Sequence, residues 1–249
     1  MLHKGAEIVK SDVLIIESTY ALREHPDREA MTKQFVDDVA EVIEQGGIAL
    51  IPVFAVGRAQ EMLAILEKNG LIDTTFLDGM AKEASEIVLR NSDFIRNSKL
   101  LSDAMNGSTW IEEKYQRRKA LKGGNIILTT SGMLTGGPVL DYITKLNGRS
   151  KVFLTGYQVE GTNGRKLMDG ERLDIDNRRV DIKTPVVFYD FSAHAGKTDL
   201  YEYIRRSGPE SVVCVHGSPE SASSLANAMK EEGFDAYAPK VGDRITLDF

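Results

Sequence analysis

The sequence predicts an α/β fold in which short buried strands of a parallel sheet alternate with helices. Three observations lead to this expectation: several apolar runs have the length of a strand, stretches of helical periodicity separate them, and glycine pairs follow the predicted elements. All-apolar strands are typical of a parallel sheet that is covered on both faces. A chain of 249 residues, 42% of them hydrophobic, can bury a sizeable core in one large or two ordinary domains.

The first elements follow this pattern closely. Residues 13–16 form an apolar run that ends in polar residues, as a strand does at a ligand-binding sheet edge. A helix is expected over residues 28–45, because apolar side chains recur there at helical spacing and a glycine pair follows. Residues 48–53 are a second buried strand, which leads through a short loop into a helix near residues 59–69.

The middle of the chain is more polar, and the alternating pattern resumes after it. Residues 72–122 are expected to be mainly helical, with residues 83–90 the clearest periodic stretch. The turn-rich segment 156–164 is expected to be irregular. The remaining predicted strands are residues 125–129, 152–155, 186–189 and 211–215, together with a short strand that begins at residue 237. The remaining predicted helices are residues 139–146, residues 221–232 and one helix between the strands 186–189 and 211–215.

Composition excludes several classes of protein. The formal net charge is −6, which argues against a non-specific nucleic-acid coat, although a local basic patch remains compatible with it. A single cysteine, Cys214, excludes an internal disulfide and a cysteine-based zinc site. No window offers the ~18 apolar residues of a membrane span, and the first residues lack the apolar run of a signal peptide. We therefore expect a soluble cytoplasmic protein with no membrane partner.

Two of the four histidines directly follow predicted strands. These are His194 and His216, and Glu17 ends the first strand in the same way. Parallel neighbours would bring all three to one edge of one sheet, where they could form a zinc shell or a general acid with its orienting partner. The alternative is that the two histidines only form hydrogen bonds with nearby backbone groups. Three polar residues at strand ends, the two histidines and Glu17, favour a functional site over this alternative. His3 and His25 lie in polar contexts and are interpreted as solvated.

A glycine-rich loop over residues 130–138 follows a strand and opens a helix. Its exposed amides could bind a phosphate, although phosphate cradles and tight turns are about equally compatible with the pattern. The loop lacks the lysine of a P-loop, and segment 156–164 does not match the dinucleotide fingerprint. Arg58 and Arg165 are candidate phosphate clamps, whereas the basic run of residues 114–119 is interpreted as a solvated helix face. The candidate phosphate-binding residues of the loop are Thr130, Ser131, Gly132, Gly136 and Gly137.

Six stretches, in a fixed order along nearly the whole chain, carry a resemblance to a known family. They are residues 12–20, 51–58, 130–133 with 136–138, 154–158, 191–195 and 215–217. They resemble the β-CASP family of the metallo-β-lactamase superfamily, in particular archaeal proteins related to RNase J and the cleavage-and-polyadenylation endonuclease. In such proteins a β-CASP domain is inserted into a metallo-β-lactamase αββα sandwich, and a two-zinc site cleaves RNA between the two.

The resemblance implies a domain organisation and a role for individual residues. Residues 1–20 and 193–249 would be metallo-β-lactamase segments, and residues 21–192 a β-CASP domain with helices on both faces of a parallel sheet. His216 would be a zinc ligand. His194 would protonate the leaving oxygen or stabilise the phosphate, while Glu17 holds its other imidazole nitrogen and so fixes the tautomer. Ser192, which belongs to one of the matching stretches, joins the candidate RNA-binding residues.

The sequence departs from the family pattern in its metal ligands. No His-x-His-x-Asp-His motif occurs in the chain, and His216 alone remains of the usual ligand set. A catalytic zinc takes about three protein ligands, so we expect the chain alone to retain neither zinc ion and not to cleave RNA. It looks like the C-terminal part of such a ribonuclease, whose partner would be the missing N-terminal metallo-β-lactamase half or a second copy of the chain.

Two other functions remain open. One is a non-catalytic module that binds single-stranded RNA or a partner nuclease, with salt-sensitive RNA binding and no zinc dependence. The other is a small-molecule enzyme of the doubly wound type, for which the absent nucleotide fingerprint leaves little support. If the rest of the αββα sandwich is missing, the strands near residues 13–16 and 212–215 would expose apolar surface and an open sheet edge. Such an edge predicts that the chain dimerises, binds a partner or aggregates.

Overall fold

The computed structural model describes residues 5–247. The strands are β1 (Val13–Glu17), β2 (Ile48–Pro52), β3 (Thr75–Asp78), β4 (Thr109–Trp110), β5 (Asn125–Thr129), β6 (Lys151–Leu154), β7 (Leu173–Ile175), β8 (Arg178–Val180), β9 (Val186–Phe188), β10 (Ser211–Val215) and β11 (Asp235–Tyr237). The helices are α1 (Arg28–Glu44), α2 (Arg58–Lys68), α3 (Ala81–Arg90), α4 (Ser98–Gly107), α5 (Lys114–Ala120), α6 (Pro138–Ile143), α7 (Asn163–Met168), α8 (Lys197–Ser207) and α9 (Pro219–Glu231). The chain divides into a larger unit, residues 27–191, and a smaller unit, residues 5–26 with 192–247.

The larger unit is built on a six-stranded sheet in the order β4-β3-β5-β2-β6-β9, and every neighbouring pair is parallel. Its central strand β2 is buried on both faces. Ala49 and Ile51 pack in one core with residues of α1 to α4, while Ile48 and Leu50 pack in a second core with residues of α5 to α7. Alternate side chains of this apolar strand thus pack into two different cores, one on each face of the sheet. The expected parallel sheet with helices on both faces is confirmed.

The smaller unit contains a three-stranded parallel sheet in the order β1-β10-β11. Helices α8 and α9 cover one face, where apolar side chains of both helices pack on Val212 and Cys214. Strand β1 lies at the edge of this sheet, and Ile15 on it is 68% exposed. This partial layered sheet matches the expected remnant of an αββα sandwich. Among the helices of residues 5–247, none is long and apolar enough to cross a membrane.

The structure departs from the predicted fold in three details. Residues 72–122 are mainly helical, as expected, but they also contain the unpredicted strands β3 and β4; β3 is short and ends in a buried aspartate, so it lacks the all-apolar pattern of the other strands. The antiparallel pair β7–β8 was not predicted either. The third difference concerns the strands before the two histidines. β9 pairs with β6 in the six-stranded sheet, whereas β10 pairs with β1 in the three-stranded sheet, so the strands preceding His194 and His216 are not neighbours in one sheet.

Candidate functional site

The end of β1 is fixed against the end of β10. Parallel pairing sets Glu17 beside Val215, so the residues that follow each strand emerge together. The Ser18 hydroxyl donates to the Val215 carbonyl at 2.8 Å. Gly217 allows this approach, because a Cβ there would lie 2.6 Å from Ser18 Oγ and 2.8 Å from the Ser18 carbonyl oxygen. Glu17 and His216 are therefore carried by one rigid pair of strand ends.

His216 adopts an unusual backbone conformation. Its φ is +49°, in the left-handed region that non-glycine residues rarely occupy. The Thr19 hydroxyl donates to its carbonyl at 3.0 Å and lies 3.2 Å from its Nδ1, so one threonine holds both backbone and ring. Such a conformation costs about 1–3 kcal/mol and is common at functional sites.

His194 reaches the same place from the loop that follows β9. Its Nδ1 lies 3.3 Å from Glu17 Oε1, and its backbone N–H donates to Ser192 Oγ at 3.1 Å. Its ring centroid is 5.2 Å from that of His216, with 23° between the ring planes. The structure thus brings Glu17, His194 and His216 together although the preceding strands of the two histidines belong to different sheets.

The Glu17 carboxyl group is held as an anion. Burial raises its pKa, but hydrogen bonding from Thr19, the charge of His194 and the backbone N–H of Ala195 together outweigh burial and lower that pKa below its usual value. The Thr19 N–H donates to Oε2 at 2.8 Å, and the Ala195 N–H donates to Oε1 at 3.1 Å. Glu17 is therefore suited to orient an imidazole and unsuited to act as an acid.

The donor atoms of this cluster fit zinc in kind. One atom each from Glu17, His194 and His216 lie within 4.8 Å of one another, and imidazole nitrogen and carboxylate oxygen are both zinc ligands. Glu17, however, already accepts two backbone hydrogen bonds, which favours an orienting role. The three side chains could contribute to one ion, but they do not complete two zinc sites, since a catalytic zinc takes about three protein ligands.

Two further residues support the cluster and were missed or misinterpreted in the sequence. Thr19 bridges the two imidazoles, with its Oγ1 3.4 Å from His194 Nδ1. His25 is half-buried, its Nε2 lies 2.9 Å from the His194 carbonyl oxygen, and its ring meets the Tyr20 ring edge-on at 4.6 Å. The interpretation of His25 as solvated was therefore wrong, and His3 lies outside the described residues.

The candidate phosphate clamps are engaged with carboxylates. The Arg58 side chain is only 9% exposed and pairs with Glu61, which also binds Arg28. The guanidinium of Arg28 stacks 4.5 Å from the centre of the Phe191 ring, within the larger unit. Arg165, on α7, pairs with Asp169 at 2.7 Å.

The glycine-rich loop follows β5 in the larger unit. Thr130 is buried against Gly79, while the Thr135 N–H donates to Ser131 Oγ at 3.0 Å and closes the loop on itself. Gly137, with φ +77°, directly precedes α6. The candidate residues Thr130, Ser131, Gly132, Gly136 and Gly137 thus lie in one turn at the carboxyl edge of the six-stranded sheet, whereas Ser192 lies beside His194.

Comparison with known proteins gives two family matches. A Beta-Casp domain matches residues 59–167, and a Zn-dependent metallo-hydrolase RNA specificity domain matches residues 179–239. The former lies inside the larger unit. The latter covers β9, β10, both histidines and the helices of the smaller unit.

Several relatives of known name are similar to almost the whole chain. "Probable RNase MJ4" of Methanocaldococcus jannaschii is 40% identical, with 99% of this chain and 60% of the relative aligned. "RNase aCSPSF2" of Saccharolobus solfataricus is 38% identical over 99% of this chain and 51% of its own length. Integrator complex subunit 11 of Gallus gallus is 30% identical over 98% of this chain and 44% of its own length. The chain thus spans about half the length of the relatives it matches.

One solved structure shows the same fold. A protein from Enterococcus faecalis V583, described as of unknown function, superposes with a TM-score of 0.53 at 14% identity, covering 96% of this chain and 52% of that one.

Proposed function

This chain belongs to the β-CASP family of the metallo-β-lactamase superfamily, of the type of RNase J and the cleavage-and-polyadenylation endonucleases, and from that premise we propose that it forms part of a zinc-dependent ribonuclease. The reaction would be phosphodiester hydrolysis in RNA processing, in the maturation of mRNA 3′ ends or in mRNA decay. The names of the relatives support RNA as the substrate.

The contact between Glu17 and His194 is the observation that carries this proposal. Because Glu17 Oε1 lies 3.3 Å from Nδ1, Nε2 is the His194 nitrogen left to exchange a proton with substrate. In hydrolysis one water adds across the scissile P–O bond, and the leaving oxygen must gain a proton. His194 would supply that proton, and the anionic Glu17 would stabilise the imidazolium before transfer.

His216 would be one of several zinc ligands. Its left-handed backbone and its contacts with Thr19 fix the ring beside His194. When bound, zinc would neutralise charge on the scissile phosphate and lower the pKa of the attacking water. Since the chain contains no His-x-His-x-Asp-His motif, we propose that it is inactive alone and that a segment bearing this motif completes the site.

The test combines the chain with a separately produced segment that carries the His-x-His-x-Asp-His motif. Labelled single-stranded RNA and zinc are added, and cleavage is followed on a denaturing gel. We expect cleavage only in the mixture, its loss in His194→Ala and His216→Ala, and unchanged cleavage in Glu220→Gln, an exposed control on α9. Circular dichroism verifies that each variant is folded.

Two outcomes would contradict this function. Cleavage by the chain alone would show that its own ligands suffice. A folded, associated mixture that binds RNA without cleaving it would instead favour the non-catalytic RNA-binding module.

A further inference from the structure

Exposed apolar side chains gather at the carboxyl edge of the six-stranded sheet. They come from the loops that follow β2, β3 and β6. The exposed side chains are Phe54, Val56, Met80, Tyr157 and Val159. Single exposed apolar residues are ordinary, but several on one edge of a sheet mark an interaction surface.

The Phe54 ring rests on glycine backbone. A Cβ at Gly132 would lie 2.9 Å from Phe54 N and 3.4 Å from its Cδ2, and a Cβ at Gly156 would lie 3.8 Å from its Cε2. Phe54 nevertheless remains 42% exposed. The two glycines let one side of the ring lie against backbone, and its remaining exposed surface is open to a flat molecule.

Tyr157 directly follows Gly156, the glycine beside the Phe54 ring, and a buried glutamine holds its loop in place. Gln158 is 3% exposed, and its Nε2 donates to the carbonyl oxygens of Gly132 at 3.1 Å and Gly156 at 2.9 Å. These bonds fasten the loop after β6 to the loop after β5. Tyr157, placed between Gly156 and Gln158, is 59% exposed, so an open aromatic ring sits on an ordered loop.

Two arginines on the helices that follow these loops pair with protein carboxylates. Arg58, which begins the helix after the Phe54 loop, pairs with Glu61, and Arg165 pairs with Asp169. Phosphate contacts from these two side chains would first have to break an ion pair. The open aromatic rings carry no such cost, and every base of a single strand offers a π face to stack on them.

We propose that Phe54 and Tyr157 form a stacking platform for the bases of single-stranded RNA at the carboxyl edge of the six-stranded sheet. This inference rests on the proposed function, because it names how that substrate is held. Stacking is tolerant of sequence and requires unpaired bases, so the platform selects single strands over duplexes.

The test measures binding of a fluorescein-labelled short oligouridine to the full chain by fluorescence anisotropy. We expect Phe54→Ala and Tyr157→Ala each to raise Kd about tenfold, in the range of one lost base stack. Phe54→Tyr and Tyr157→Phe keep an aromatic ring and should bind within about twofold of wild type. Phe94→Ala removes a ring that is 80% exposed in the same unit, and its Kd should not change.

Three results would overturn the platform. One is an unchanged Kd in folded Phe54→Ala and Tyr157→Ala variants, and another is equal affinity for oligouridine and an abasic strand of the same length. The third result is that the alanine variants bind RNA normally but no longer bind the segment that carries the His-x-His-x-Asp-His motif. The exposed rings would then form a surface for protein contact. Cleavage by the mixture is read separately, so RNA stacking without cleavage would contradict only the proposed function.

Discussion

Glu17 Oε1 lies 3.3 Å from His194 Nδ1 and also accepts the Ala195 N–H, so one carboxylate oxygen holds both the ring and the backbone of the loop after β9. The pKa of this carboxyl is lowered, and the ionised form therefore stabilises the folded state.

The first prediction is a pH dependence of this stabilisation. Because the pKa of Glu17 is lower in the folded state, the unfolded chain binds more protons than the folded chain near the ordinary pKa of 4.5. The contribution of ionised Glu17 to the free energy of unfolding is therefore complete above pH 4.5. It disappears as the pH falls through the pKa of the folded state. In urea unfolding, wild type should exceed Glu17→Gln in stability at neutral pH, and the difference should shrink in acid. A pH-independent difference between wild type and Glu17→Gln would refute the prediction.

The second prediction concerns Gly217. Alanine there would place a Cβ 2.6 Å from Ser18 Oγ and 2.8 Å from its carbonyl oxygen, so the strand ends that carry Glu17 and His216 must separate. We expect a loss of about 1–3 kcal/mol in unfolding free energy, the usual cost of overpacking. Gly148→Ala is the matched control, because nothing lies within 4 Å of a Cβ there. Equal stabilities of the two variants would exclude the steric argument.

The third prediction concerns the buried Asp78 carboxylate in the larger unit. It accepts hydrogen bonds from Arg117 Nε at 2.8 Å and Tyr142 Oη at 2.8 Å, and burial together with Asp78 raises the pKa of Tyr142. Arg117→Met leaves the carboxylate without its cation and should cost about 3–5 kcal/mol. Arg118→Met, on the exposed face of the same helix, should cost less than about 0.5 kcal/mol. Thermal melting compares them, and similar melting temperatures would contradict the assignment.

The fourth prediction concerns Cys214. Burial raises the pKa of this thiol to about 11, so the reactive thiolate is scarce at neutral pH and shielded in the core of the smaller unit. A thiol reagent should label the folded chain slowly and one thiol per chain rapidly in denaturant. Rapid labelling without denaturant would show that this core opens readily.

Strand and helix positions were predictable where one local pattern dominated. Residues 48–52 are uniformly apolar and were recognised as a strand, whereas β3 ends in Asp78, whose burial depends on the distant Arg117. The basic run containing Arg117 was interpreted as a solvated face for the same reason: the partner carboxylate is far away in sequence. Ion pairs of this kind form between residues that are distant in sequence, so the spacing of residues within one segment does not predict them.

The candidate site shows the same division. Parallel strand ends correctly suggested that Glu17 and His216 emerge together, because β1 and β10 are neighbours. The family resemblance implied that Glu17 holds His194, but the prediction of one shared sheet edge was wrong, because β9 belongs to the other sheet and the loop after it carries His194. Thr19 belongs to a stretch that was already recognised, but its bridging hydroxyl depends on the backbone turn at His216.

The stacking of Arg28 on Phe191 has a consequence for how the gene can be rearranged. These residues stand at the two ends of the larger unit, and their side chains meet at 4.5 Å, so this unit starts and finishes at one point in space. A segment with adjoining termini can be excised, circularly permuted or transplanted as a cassette, since its host need only tolerate a short gap between two neighbouring chain ends.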